Sequence, residues 1–402
     1  MIDSSKSMTI QDLALINALK NWIASLFPPK PTTFINRIVR SPENTYFTYP
    51  HSNGFMSDGR AVVVRPVGPI QDPVANPTTL EYLAMDLNSG AVESLITVNN
   101  VRWYYAISKN NLMVASMMEG IVLVDLNKRT QKTLITYPGW TTSIDLDISP
   151  DGTKALVTRR HRAAPVDNGV DVVDTATGIL TPIIRSPVYL DHAHFSPFDQ
   201  NWICYCDSSS GLTPTRMWVW HATEAPKGRN IFNQTMPDGK LLYVGHERAK
   251  FNDHAMLTVA YSTSPGSPRG LYQATFDGQV KLISESNSDG HCNVSPDGRW
   301  AVTSSMGKVL RPDGTLDLVT HTTGAWQNNL GLYGEGDVML INMKTGARAF
   351  LYRSTVDVKL QPYEIQPAIS PDGKWVLIKD AKEHRVLAIE LNAQKMAEFL
   401  GN

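Results

Sequence analysis

ISPDGTKALVT, residues 148–158, is an apolar lead-in, a tight Ser-Pro-Asp-Gly turn and an alternating run. Those three parts are the signature of a β-hairpin. The pattern recurs as FMSDGRAVVV from 55, FSPFDQNWICY from 195, TMPDGKLLYV from 235, VSPDGRWAVTS from 294 and ISPDGKWVLIK from 369, with a degenerate ISKNNLMVAS from 107, seven in all. A second series interleaves with it: LEYLAMDLNSGAVESLI, GIVLVDLNKRTQKTLI, GVDVVDTATGILTPII, RMWVWHATEAPKGRNI, RGLYQATFDGQVKLIS, DVMLINMKTGARAFLY and HRVLAIELNAQKMAEFL, again seven. Two hairpins per unit predict a four-stranded antiparallel sheet. Seven such sheets cannot bury their faces singly and stack around an axis, so the expected fold is all-β, a seven-bladed β-propeller.

The propeller is expected over 35–402 as one domain. Residues 1–34 are expected to form an amphipathic helix and its lead-in, because Leu13, Ile16, Leu19, Ile23 and Leu26 fall on one helical face. This start lacks the basic residues and unbroken apolar stretch of a signal peptide, which favours a cytoplasmic location and leaves an extracellular one open. With 37 Lys and Arg against 38 Asp and Glu, the chain has no basic excess for nucleic acid. No apolar run reaches the roughly 18 residues of a membrane span. Cys204, Cys206 and Cys292 have neither disulfide nor metal spacing and read as small core residues. Nothing in the sequence sets an oligomeric state.

In a propeller, residues just before each repeated turn line the central channel. Those positions carry His51, Trp103 and Tyr104, then Thr142, Asp145 and Asp147, then His192 and His194, then Asn230, Asn233 and Gln234, then His291, and last Gln361, Glu364 and Gln366. Loops between second and third strands should rim the same mouth. They bring Arg159 to Arg162, Arg216, His246, Arg248, His254 and, in a long loop of the sixth blade, His321 and Trp326. Together these make a cationic rim suited to an anionic ligand, most simply a carboxylate.

The stretches DHAHFSPFD with His192, TRMW with Arg216, GHCNVSPDG with His291, and QPYEIQPAISPDG beginning at Gln361 carry a family likeness. Over about 45–380 the chain resembles the oligogalacturonate lyases and neighbouring propeller lyases of uronate-containing glycans. That resemblance implies a divalent metal, typically manganese, held by a histidine of the sixth blade and by a glutamine and two histidines of the last. His291 and Gln361 match two of these positions, while Glu364 and Gln366 stand where the family has histidines. One nitrogen and three oxygens suit a hard ion such as calcium or magnesium, so calcium or manganese is the expected cofactor.

The resemblance also implies β-elimination at C4 of a uronate in an acidic oligosaccharide or polysaccharide. Such a reaction needs a neutralised carboxylate, a base for the C5 proton and an acid for the leaving oxygen. Arg216 matches the family's base. Histidine titrates closer to neutrality, so His192 is a rival base, with His194 or His246 as acids. His51, Tyr104, Arg159, Arg162, Arg248, His254 and His321 are expected to bind substrate. Candidate substrates are an oligogalacturonide or a rhamnosyl-glucuronate linkage. The alternative is a non-enzymatic propeller that scaffolds or binds a ligand, since a propeller by itself implies no activity. A serine-peptidase propeller is excluded, because there is no Gly-x-Ser-x-Gly element and no room for a catalytic domain.

Overall fold

The computed structural model describes residues 33–68, 77–164, 167–207, 213–305, 308–310, 316–318, 333–357 and 364–401. They form seven antiparallel sheets, the blades of a propeller. Blade two is Tyr105–Ile107, Leu112–Met117, Gly120–Asp125 and Thr130–Thr136, and blades three, four and five repeat that order from Trp140, Leu190 and Val244. Blade six starts at Asp289 and carries an extra hairpin, Lys308–Leu310 with Leu316–Leu318, paired to its third strand Tyr333–Asn342. The amphipathic helix expected in 1–34 lies outside the described residues.

The repeated turns share one chemistry. In three of them a serine hydroxyl donates to the aspartate two residues on at 2.6 Å, in the pairs Ser149 with Asp151, Ser295 with Asp297, and Ser370 with Asp372. The glycine that follows sits at positive φ, as Gly152 does at 75°, where a side chain would strain the backbone. The apolar core lies between neighbouring blades: Val114, Ile121 and Leu123 of blade two pack with Leu146, Ile148, Ala155 and Val157 of blade three.

Blade seven closes the ring with both ends of the described chain. Its strands Ala368–Ile369, Trp375–Asp380 and Arg385–Leu391 are completed on the outside by Ile35–Arg40, with Ile38 opposite Ile389. Arg37 Nε binds Glu390 at 2.6 Å and Arg40 Nε binds Glu383 at 2.9 Å across this seam. HRVLAIELNAQKMAEFL is therefore not a hairpin. After its strand, Asn392 caps a helix, Ala393–Leu400, whose Met396 and Phe399 pack on the blade's core. The N-cap asparagine and an i, i+3, i+4 apolar spacing decide for helix there.

A second correction concerns blade five. TMPDGKL is a turn closed by a single bridge, Thr235 to Leu241, in the connection from blade four. The innermost strand of blade five is Val244–Ala249, joined to Ala255–Ala260 by the Lys250–His254 turn. His246, Glu247 and Arg248 therefore line the channel rather than a rim loop. In blade one the innermost place is held by two bridges only, Tyr46 to Val64 and Phe55 to Ala61. The chain between them, including Tyr49 and His51, is buried toward the axis.

The latch generates a test. A chain that begins at Ser41 lacks the outer strand of blade seven, and it should melt several degrees below a chain that begins at Thr33, measured by circular dichroism. Equal melting temperatures would show that the seam contributes nothing to stability.

Candidate active site

Three neighbouring innermost strands lose register at their histidines. The pairing shifts between Asp191 and His194 in blade four, between Gly245 and Arg248 in blade five, and between Asp289 and His291 in blade six. His192 and His246 hold φ of 50° and 56°. Left-handed backbone in two non-glycine residues is costly and re-aims their side chains, the usual role of a bulge beside a functional site.

Glu247 joins two of the expected residues. Its Oε2 accepts from His192 Nδ1 at 2.8 Å and its Oε1 from Arg216 Nε at 2.6 Å. Burial would raise this carboxyl's pKa, and Arg216 and His192 instead hold it well below the usual range. Burial also disfavours the Arg216 guanidinium, but Cys206 and Glu247 beside it leave its pKa well above the ordinary value. Arg216 Nη1 further donates to the Asp207 carbonyl at 3.1 Å, and Nη2 lies 3.5 Å from His192 Nδ1. The arginine is thus held as a clamped cation.

His194 is a strut. Its Nδ1 donates to the His192 carbonyl at 2.7 Å and its Nε2 accepts from Ala249 N at 3.1 Å, tying blade four to blade five. Burial lowers its pKa to about 3, so it stays neutral. Both nitrogens are engaged, which leaves no proton to deliver to a substrate. His246 donates from Nδ1 to the Gly290 carbonyl and stacks on His291, ring centroids 3.7 Å apart. His51 stacks on His194 at 5.1 Å, is 1% exposed, and has no hydrogen-bond partner for either ring nitrogen among the described residues.

Tyr49, which the sequence reading passed over, is the hub of this cluster. Its ring lies 4.7 Å from His51, 5.2 Å from Tyr104, 5.2 Å from His192, and 6.2 Å from both His246 and His291. Asp145 and Asp191 are also close: burial, and then Asp191 beside it, push the Asp145 carboxyl well up. Donor atoms of Asp145, Asp191 and His192 fall within 4.8 Å of one another, as do those of His192, Cys206 and Glu247.

Of the four residues expected to hold a metal, Gln361 lies outside the described residues, as does His321. His291 Nε2 and Glu364 Oε2 are 3.5 Å apart and fit two ligands of one divalent ion. Gln366 does not turn toward them in the same way. Its Oε1 takes the Lys379 ammonium at 2.6 Å and its Nε2 donates to Glu364 Oε2 at 3.2 Å. Lys379 is fully buried over the Trp103 ring, 4.1 Å away, and burial lowers its pKa well below that of an ordinary lysine although Glu364 opposes the shift. The second strand of blade seven thus brings to the expected shell a lysine whose charged form burial disfavours.

The rim residues divide. Arg248 donates to the His51 carbonyl and belongs to the channel. Arg159 is bound by Asp171 inside blade three, over the Trp140 ring at 3.9 Å. Arg162 pairs with Glu119 at 2.8 Å, at the surface. His254 sits in the turn of blade five beside Asp199, 3.5 Å away in the corresponding turn of blade four, at the opposite end of the strands from the expected mouth. These three are not brought to the histidine cluster.

No family model matches the chain, and no curated protein matches it either. Solved structures do. An oligogalacturonate lyase in complex with manganese aligns with a TM-score of 0.68 at 18% identity, over 90% of this chain and 97% of that one. An oligogalacturonate lyase from Vibrio parahaemolyticus aligns at 0.70 and 17% identity, over 92% and 96%. A chain of the mitotic checkpoint complex reaches 0.54 at 10% identity, over 90% and 96%. Identities this low establish the shared propeller fold, which hosts unrelated roles.

Two stability predictions follow from the buried charges. Glu247→Ala strands the Arg216 cation and should cost about 3–5 kcal/mol in urea unfolding, with Glu247→Gln costing less. Asp147 is pushed up to about 7 by burial, against hydrogen bonds from the Phe195 and Ile148 amides. Between about pH 4, where the unfolded carboxyl titrates, and about 7, the native state holds a proton that the unfolded state has released. Stability should therefore fall as pH rises through that window. Asp147→Asn should flatten the fall, and an unchanged pH profile would overturn the assignment.

Proposed function

We propose that the protein is a lyase that cleaves 4-O-linked uronate glycans by β-elimination. The observation that carries this reading is the Glu247 carboxylate gripping both His192 and Arg216. A carboxylate that accepts the Nδ1 proton of His192 fixes the tautomer and leaves Nε2 proton-free, which is the form of a base. The same carboxylate holds the Arg216 cation beside that base, where the uronate carboxylate would bind. Neutralising this group lets negative charge build toward it as the C5 proton leaves. Here Arg216 binds and His192 abstracts, which separates two roles that the sequence alone left as rivals. His194 is outside the chemistry on this reading, because its two nitrogens hold blades four and five together.

The manganese of the matched lyase prompts a metal role. His291 and Glu364 would hold a divalent ion, calcium or manganese, which when bound would supply Lewis-acid stabilisation of the enolate charge. The fold-level likeness to oligogalacturonate lyases supports an acidic oligosaccharide as the substrate class.

The test is a panel of uronate glycans, with and without chelator, followed by the ultraviolet absorbance of the new C4–C5 double bond and by released sugars. At least one glycan should be cleaved. His192→Ala should lower kcat by about 10²–10⁴-fold, and Arg216→Lys should raise KM as well as lower kcat, because it removes the planar fork. Loss of activity in chelator, restored by added metal, would show that a divalent ion takes part, and weaker metal binding in His291→Ala would assign that ion to His291 and Glu364. Silence across the panel in both readouts would sink the lyase reading and leave a ligand-binding propeller.

A further inference from the structure

We propose that the cleft between blades five and six, at the end of the propeller that carries the repeated turns, is a second binding site for an acidic glycan. It anchors a chain by its carboxylates, away from the channel and its histidines, and does no chemistry. The inference takes the glycan class from the lyase reading above and depends on that reading for nothing else.

Charge carries it first. The cleft has a volume of about 510 Å³, and four cationic side chains enter it from four separate segments. Lys250 opens the first turn of blade five, and Lys281 stands on that blade's outermost strand, Val280–Glu285. Arg299 belongs to the repeated turn of blade six, and Lys344 to the turn between its third and fourth strands. Among the described lining residues Asp297 carries the one carboxylate. Its Oδ1 is engaged by the Ser295 hydroxyl at 2.6 Å and the Arg299 amide at 3.0 Å. Lys250 is only 8% exposed, and its ammonium donates to Gln273 Oε1 at 3.2 Å and lies 3.6 Å from Asp253. Lys281 and Lys344 make no ion pair among the described residues. A concave site lined by one sign of charge focuses its field and gathers ligands of the other sign.

The walls are also built. Asn252 Nδ2 donates to the Asp297 carbonyl at 2.9 Å, which ties the turns of blades five and six together. A Cβ on Gly298 would collide with the Asn252 amide, so the two turns meet with no room for a side chain. Met343 N donates to the Arg299 carbonyl at 3.0 Å, and Asn342 Nδ2 to the Phe399 carbonyl at 2.9 Å. The outer turn and the end of the helix are thereby fixed to the same wall. Backbone that is already in place lowers the cost of binding.

The rest of the lining suits a sugar. Gln273 and Asn252 set amides among the cations, and Ile283 and Met343 add aliphatic surface. Amides meet hydroxyls, while ammonium and guanidinium groups meet carboxylates. The volume falls within the roughly 300–1,000 Å³ of small-molecule sites. A polymer anchored here raises the local concentration of chain around the mouth.

The experiment is titration calorimetry on the unmodified protein and on His192→Ala, which lacks the candidate base and so leaves a probe intact. The probes are hexamers of galacturonate and of glucuronate, their methyl esters, and tripolyphosphate. Lys281→Glu with Lys344→Glu should remove one bound hexamer per chain, weakening that site about tenfold or more. Lys281→Arg with Lys344→Arg should keep it within a few-fold. The esters should not bind there, and salt raised from about 0.05 to about 0.5 M should weaken the hexamer. Isotherms unchanged by charge reversal, or no hexamer bound at all, overturn the site. Tripolyphosphate bound at the cleft where neither hexamer binds overturns the glycan assignment. A hexamer held at the cleft by a protein that cleaves no glycan leaves this inference standing and sinks the lyase reading. If a polymer is cleaved, the charge-reversed pair should raise its KM and leave kcat and the kinetics on a disaccharide unchanged; an unchanged KM overturns the anchoring role.

Discussion

A single buried carboxylate organises the centre of this propeller. Glu247 is completely enclosed and would be intolerable there alone, since an ion taken out of water loses several kcal/mol of hydration. Arg216 and His192 make it tolerable, and it makes them so in turn. The three groups come from blades four and five, so the charge balance also fixes how these two blades meet. His194 repeats the tie in neutral form, from the His192 carbonyl to the Ala249 amide. What looks like a cluster of reactive side chains is at the same time the joint between two sheets.

That double duty explains the bulges. A regular strand alternates its side chains between two faces, so a residue cannot both serve the channel and keep its neighbours packed between blades. Shifting the register at His192, His246 and His291 breaks the alternation locally. The cost is left-handed backbone at two histidines. The arrangement is affordable because the rest of each strand stays in register against well-packed neighbours.

The fold was legible because its signal is local and repeated. Five of the seven repeated turns join the first and second strands of a blade as expected, and a sixth, after Phe55, leads from the Phe55 to Ala61 bridge into the first full strand of blade one. The exception, TMPDGKL, has the same turn chemistry and no strands long enough to use it, so local pattern could not tell it from the others. That one shift of phase hid Glu247, which looked like a loop residue. The last hairpin failed because the fourth strand of blade seven comes from the other end of the chain, a pairing that no local pattern records. In the site, histidines drew the eye because they are unusual in strands. Tyr49 and Lys379 did not, because tyrosine is an ordinary strand residue and the lysine sits in an otherwise apolar second strand. Only the long-range packing shows that one reaches the axis and the other reaches Gln366.

The closure of blade seven has a consequence for how the chain is made. Arg37 and its partner Glu390 are 353 residues apart. On a ribosome adding roughly 5–20 residues per second, the strand Ile35–Arg40 waits about 20–70 s before its partner exists. Throughout that time it is a bare edge able to pair with any other nascent chain. Its sequence, INRIVR, sets two arginines and an asparagine among the apolar residues. Charge of that kind discourages association between like strands. The residues that later grip Glu390 and Glu383 would thus first guard a strand that has nothing yet to grip.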